Sequence, residues 1–367
     1  MSLSVGIVGL PNVGKSTLFN ALLRKQQAYA ANFPFATIEP NIGVVPVPDE
    51  RLQKLSEIVK EADKLDSLPP LVPATVEFVD IAGLIAGAHK GEGLGNKFLS
   101  HIRQTDAVLH VVRAFENSDI IRHESAPEVN PKADLEIIET ELALADLTTV
   151  QNSIAKAKRG EEKLISILKR LENALNEGKP ARSLEFSDEE MKEVKQLSLL
   201  TSKPILIALN VSESDLGNAE GLERKYSEEF GVAFDQVIAV SAKVEEELSS
   251  LSIEEAGEYL RELGMTQSGL ERIIKKAFST LGLITFLTAG EKECRAWTIK
   301  NGYKAPEAAG TIHTDFEKKF IKADVVTFEN YVEFGGEKKA RELGKLRQEG
   351  RDYIVKDGDV IEFKIGA

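Results

Sequence analysis

The sequence predicts an α/β chain: a mostly parallel sheet that carries an inserted helical hairpin, followed by a smaller α+β domain. Three observations predict it. Apolar runs at Val5–Val8, Val76–Val79 and Val108–Val112 read as continuous rather than alternating, as strands buried on both faces do. Helical stretches at 51–65 and 96–104 lie between them, which is an α/β layout. Beyond about Leu283 the texture shifts to short β-prone runs with glycine turns. A length of 367 residues fits two or three domains.

The first apolar run leads into Gly-Leu-Pro-Asn-Val-Gly-Lys-Ser at Gly9–Ser16, and Ser16–Leu23 then opens a helix. This is a complete Walker A phosphate loop in its proper strand–loop–helix context. Glycine lets backbone N–H groups turn inward around phosphates, Lys15 reaches the β- and γ-phosphates, and the Ser16 hydroxyl ligates magnesium. The helix adds its N-terminal dipole to the same anion site. Asn12, Val13, Gly14, Lys15, Ser16 and Thr17 are the expected phosphate-binding residues.

Further chemistry follows in chain order. Thr37 lies in the aperiodic loop Asn32–Asn41, where a threonine supplies a second hydroxyl to magnesium in switch GTPases. Asp80-Ile81-Ala82-Gly83 ends the Val76–Val79 strand, placing Asp80 to hold magnesium and the Gly83 N–H to sense the γ-phosphate.

After Pro131 the pattern changes. Leu135, Ile138, Leu142 and Ala145, then Leu164, Leu168, Leu171 and Leu175 beyond Arg159-Gly160, predict two long helices folded back as an antiparallel coiled-coil hairpin over 132–200. Two ordinary amphipathic helices packed on the main domain fit the same spacing. The α/β pattern resumes with strands at Ile205–Leu209 and Val237–Val240 and helices at 220–230 and 270–281, so the hairpin interrupts one domain spanning 1–282. The remainder, 283–367, forms the α+β domain. Its 15 basic residues balance 15 acidic ones, which assigns the whole net charge of −13 to the first 282 residues.

Asn210-Val211-Ser212-Glu213 follows the Ile205–Leu209 strand, where GTPases place Asn-Lys-x-Asp. Ser241-Ala242-Lys243 follows Val237–Val240, where they place the last base-contacting loop. Val211 removes the lysine that stacks over the base, and Glu213 replaces the aspartate that reads guanine. Adenine presents an acceptor where guanine has its ring N–H, so a carboxylate there makes no bidentate pair. Asn210 can serve adenine by donating to N7 and accepting from N6. A site built on hydrogen bonds rejects the mismatched base strongly, which favours ATP over GTP.

Composition narrows the function classes. A formal charge of −13 argues against a general nucleic-acid coat or an anionic-membrane binder, while a local RNA-facing surface remains compatible. The single cysteine, Cys294, excludes an internal disulfide framework and a cysteine-based zinc site, and is consistent with a reducing cytoplasm. No apolar run approaches a membrane span, and the apolar N-terminal stretch runs into the phosphate loop, so it reads as a strand rather than a signal peptide.

With these residues, and with Asn32–Asn41, Lys90–Asn96, Arg295–Ile299, Ala309–Phe316 and Tyr353–Asp359, the chain resembles the YchF-type Obg-like ATPases along nearly its whole length. The resemblance implies a P-loop G-domain, a C-terminal TGS domain of β-grasp fold, magnesium-dependent ATP hydrolysis and association with the ribosome. Contact with ribosomal RNA, a monomeric state, a cytoplasmic location and no DNA partner are the accompanying expectations. It also points to a histidine after an apolar pair in the loop beyond Val108–Val112. Here Ile120-Ile121 is followed by Arg122 and then His123, one residue displaced, so His123 is the candidate catalytic group and Arg122 the alternative that would stabilise charge in the transition state.

Leu84 stands where Ras-like GTPases carry the glutamine that orients water, and leucine has neither donor nor acceptor. Slow intrinsic turnover is therefore expected, with Lys15, magnesium and backbone N–H groups supplying most of the catalysis. Gly83, Gly87, Gly91, Gly93 and Gly95 suggest a switch loop mobile enough to bring in another group. Three readings stay open at this point: a slow ATPase switch acting on the ribosome, a nucleotide-gated scaffold with incidental hydrolysis, and a GTPase with a relaxed base pocket. Basic clusters at Lys318, Lys319 and Lys322 and at Lys338, Lys339, Arg341, Lys345 and Arg347 give modest support to an RNA contact and also read as solvated faces.

Overall fold

The computed structural model describes residues 3–32, 41–81, 94–116, 129–158 and 160–366. Strand β1 (Ser4–Val8) leads through the phosphate loop into α1 (Lys15–Asn32), and β2 (Ile42–Pro46) follows. Then come α2 (Glu50–Asp63), the two-residue β3 (Leu71–Val72) and β4 (Thr75–Asp80). Next are α3 (Leu94–Gln104), β5 (Ala107–Arg113), α4 (Pro131–Lys156), α5 (Glu162–Asn176) and α6 (Asp188–Gln196). They precede β6 (Ile205–Asn210), α7 (Ala219–Phe230), β7 (Val237–Val240), α8 (Ala242–Leu248), α9 (Ile253–Glu262) and α10 (Gly269–Thr280). The chain ends with β8 (Leu283–Ala289), β9 (Cys294–Lys300), α11 (Ala305–Ile312), α12 (Thr314–Lys318), β10 (Phe320–Thr327), α13 (Phe328–Phe334), α14 (Glu337–Glu342), β11 (Arg347–Glu349) and β12 (Asp359–Ile365).

Two compact units emerge: residues 1–45 with 77–273, and 46–76 with 274–367. The first contains a six-stranded sheet in the order β2-β4-β1-β5-β6-β7. All pairings from β4 to β7 are parallel. Every residue of β1, β5, β6 and β7 is buried, as continuous apolar runs require of central strands. β4 departs from the expected continuous run. Val76 and Phe78 are buried while Glu77 is only half-buried, because β4 lies beside the edge strand β2.

The helical insertion packs within itself and against the first sheet. α4 shares with α5 a core of Ala143, Val150, Ile167, Leu168, Leu171 and Leu175, which Val194 and Leu199 from beyond α5 complete. α4 also lies against β5. Its start is set by Pro131 and by Asn130, whose side chain accepts from the Ala133 N–H at 3.0 Å. The fully buried Asp146 staples the insertion to the chain returning toward β6. It accepts from the N–H groups of Leu200 and Thr201, each at 2.8 Å, and from the Thr201 hydroxyl at 2.7 Å.

The second unit holds a mixed sheet in the order β11-β10-β12-β8-β9-β3. β8–β9 and β10–β12 are antiparallel, and β12 runs parallel beside β8. Ala305, Ala308 and Ala309 of α11 join Phe286, Ile299, Phe320, Val325 and Phe363 in the core beneath it. Small residues let the helix approach the sheet closely.

The division differs from the expected boundary at 283 in two places: residues 46–76 and 274–282 belong with this second unit. β3 pairs with β9 through Leu71↔Cys294 and Val72↔Arg295. Arg51 of α2 donates to Asp357 and to the Thr285 hydroxyl, both at 2.8 Å. The apolar stripe of α2, with Leu52, Leu55 and Val59 buried, predicts a helix but does not name the sheet it covers. Among the described residues no helix is long and apolar enough to cross a membrane.

Candidate functional site

Parallel pairing brings the carboxyl ends of the strands to one edge of the first sheet, where ligands of open α/β sheets bind. Ile7 is in register with Asp80, and Asn210 with both Arg113 and Val240. The phosphate loop, Asp80, Asn210 and Ser241 therefore meet at that edge. A cavity of about 550 Å³ is lined there by Leu10, Pro11, Asn12, Gly14, Lys15, Ser16, Thr17 and Asp80.

Left-handed backbone shapes the loop, with φ of 63° at Asn12 and 94° at Gly14. A Cβ on Gly9 would stand 2.8 Å from the Val111 carbonyl, so this glycine lets the loop lie on β5. α1 begins at Lys15, and the Leu18 N–H to Gly14 carbonyl bond, at 3.0 Å, starts its ladder. The N–H groups of Lys15, Ser16 and Thr17 precede that ladder and belong to the orphan donors of a helix N-terminus.

The Lys15 ammonium pairs with the Asp80 carboxylate, joining the expected phosphate-binding and metal-binding residues directly. Asp80 and Ser16 line the same cavity and offer only hard oxygen donors, a carboxylate and a hydroxyl. That donor set fits magnesium, and Asp80 already accommodates a cationic group.

Asn210, expected to serve adenine, is also held by two hydrogen bonds within the protein. Its Nδ2 donates to the Val13 carbonyl at 2.8 Å, and its Oδ1 accepts from the Ala242 N–H at 3.0 Å. It is 4% exposed. One amide hydrogen and one lone pair remain for a ligand, so Asn210 is foremost a brace between the phosphate loop and α8. A Cβ on Gly14 would collide with this carboxamide.

Val211 follows Asn210 at the end of β6. Its side chain is buried and its N–H donates to the Val240 carbonyl at 2.9 Å. Ser241 is buried at the head of α8, with its carbonyl accepting from the Glu245 N–H at 2.9 Å. The Ala242 N–H is the one Asn210 uses. Glu213 opens a short helical turn on the surface, and its Oε1 accepts from the Tyr259 hydroxyl at 3.4 Å. No motif or periodicity flagged Tyr259; only the fold brings α9 to Glu213. Thr37, Gly83, Leu84, Arg122 and His123 lie outside the described residues.

His110, the histidine within an apolar strand, is fully buried as a core residue. Burial lowers its pKa to about 4, against the attraction of Glu139, whose carboxylate lies 3.5 Å away. Of the basic clusters, Lys322 and Arg341 pair with Asp324, and Arg347 pairs with Glu349 and Asp359. Lys318, Lys319, Lys338, Lys339 and Lys345 are exposed.

Comparison with known proteins agrees with this geometry. Residues 4–152 match a family described as 50S ribosome-binding GTPase. Residues 283–366 match the YchF GTPase C-terminal family, described as a protein of unknown function. The ribosome-binding ATPase YchF of Bacillus subtilis (strain 168) is 52% identical over 373 residues, with 99% of each chain covered. Obg-like ATPase 1 of Pongo abelii is 46% identical over 376 residues, covering 99% of this chain and 92% of its own. The solved structure of the Schizosaccharomyces pombe YchF GTPase matches with a TM-score of 0.86 at 37% identity, over 99% of this chain and 98% of that one. With relatives this similar across both units, the chain belongs to the YchF/Obg-like ATPase family.

Proposed function

We propose that this protein is a slow, magnesium-dependent ATPase whose nucleotide state controls its binding to the ribosome. The observation that carries the reading is the convergence of Lys15, Ser16 and Asp80 on one cavity at the sheet edge. Relatives named ribosome-binding ATPase support the partner and the nucleotide.

In this reading the N–H groups of Lys15, Ser16 and Thr17 hold the phosphates, and the Lys15 ammonium turns from Asp80 to the β- and γ-phosphates. Ser16 and Asp80 would hold magnesium, with Thr37 as a further ligand. Magnesium, when bound, neutralises charge on the phosphoryl group being transferred. Water attacks the γ-phosphorus, and ADP and phosphate leave. Leu84 cannot orient that water, which makes turnover slow; His123 is the proposed group that does, and the Gly83 N–H reads the γ-phosphate.

ATP is the proposed substrate because position 211 lacks a stacking lysine and Asn210 keeps one donor and one acceptor for an adenine edge. The protein acts in the cytoplasm as a monomer, with ribosomal RNA as a contact and no role for DNA. Binding and hydrolysis of ATP and GTP, measured side by side, test the nucleotide. A tenfold preference for GTP sinks that part. Sedimentation with ribosomes across nucleotide states and salt concentrations tests the partner. No cosedimentation at low salt in any state sinks the ribosome reading.

A further inference from the structure

We infer that Tyr259 is a positioning residue for base selection, holding Glu213 away from the geometry that would read guanine. The inference rests on the ATP reading proposed above and deepens it. Tyr259 sits on α9, and its hydroxyl lies 3.4 Å from Glu213 Oε1 and 3.1 Å from Glu247 Oε2. Glu213 opens the turn after β6, while Glu247 lies on α8, whose first residue donates its N–H to Asn210. One phenol therefore ties together the two segments that leave the sheet edge on either side of Asn210.

The two carboxylates repel each other and share one phenolic proton. Lys243 Nζ, 3.7 Å from Glu247 Oε1, is the cation that faces this pair among the described residues. Partial burial and the neighbouring carboxylates push the Tyr259 pKa up to about 12, so the hydroxyl remains a donor throughout the neutral range.

Guanine recognition by a carboxylate needs both oxygens, one for the ring N–H and one for the exocyclic amine. With Oε1 tethered to the α9 phenol, Glu213 is held in one orientation and is not free to turn both oxygens toward that pair. Adenine makes no such demand. Removing the phenolic hydroxyl frees Glu213 and relaxes selection in favour of GTP.

The test is equilibrium binding of ATP and GTP to the full chain carrying Tyr259→Phe, Glu213→Gln or both. Tyr259→Phe should strengthen GTP relative to ATP by about threefold to tenfold, the worth of one hydrogen bond. The double variant should return to the selectivity of Glu213→Gln alone. An unchanged ratio in Tyr259→Phe, equal weakening of both nucleotides, or a ratio shift that persists without Glu213 overturns the inference. A native chain that prefers GTP tenfold overturns the ATP reading instead, whatever Tyr259→Phe does.

Discussion

The Asn210 carboxamide and the Val13 carbonyl, 197 residues apart in sequence, are joined by a 2.8 Å hydrogen bond inside the protein. The other end of the same side chain holds the Ala242 N–H. The phosphate loop thus takes its shape partly from a residue at the end of β6. Asn210→Ala should leave two buried backbone groups unpaired, at about 1–3 kcal/mol each. Nucleotide titration should show at least a tenfold loss of ATP affinity (~1.4 kcal/mol), alongside a lower melting temperature. Affinity within twofold of the native protein would dismiss the brace.

Gly14→Ala should abolish nucleotide binding while the second unit stays folded. Two independent obstacles act at this position, a φ of 94° and the Asn210 carboxamide where the methyl would go. Titration with a fluorescent ATP analogue checks the first effect. Amide exchange across β8 to β12 checks the second.

Lys15→Ala should reduce hydrolysis by about a hundredfold to a thousandfold, the usual cost of removing one donor from a charge-stabilising site. Asp80→Asn should behave differently, because it frees the Lys15 ammonium as it removes a carboxylate from the metal site. Its ATP affinity in chelator should match or exceed that of the native protein, and its magnesium-supported turnover should fall. Loss of affinity in chelator would show that Asp80 does not compete for Lys15.

Acid should destabilise the first unit through His110. Its pKa is lowered from 6.5 to about 4 by burial. Between these values the unfolded chain binds a proton that the folded chain refuses, so stability is full above pH 6.5 and falls as pH drops toward 4. The slope is about 1.4 kcal/mol per pH unit. Denaturant unfolding at pH 7 and pH 5 should show the loss, and His110→Leu should flatten it. An equal slope in the variant would assign the effect to other groups.

The central strands were legible because burial on both faces leaves an unbroken apolar run, as in β1, β5, β6 and β7. The phosphate loop was legible because its chemistry dictates residue types at fixed spacing. Asn210 was legible as a candidate site residue but not as a brace, since its partners are backbone groups that any residue would present. β3 was invisible: Leu71 and Val72 stand between prolines at 69, 70 and 73, too short to show a period. Tyr259 was invisible for another reason, because its meaning comes from Glu213 and Glu247 on other elements.

The excursion of residues 46–76 has a consequence for how such a chain can be inherited. The polypeptide passes between its two units three times, after Val45, after Val76 and after Ile273. No single junction in the gene separates them. A cut at 283 would leave behind a helix and a strand whose partners had departed, with Leu52, Leu55 and Val59 stripped of cover. The nucleotide-binding unit and its companion are interleaved rather than appended, so neither can be shuffled away, swapped or lost without rewriting the other.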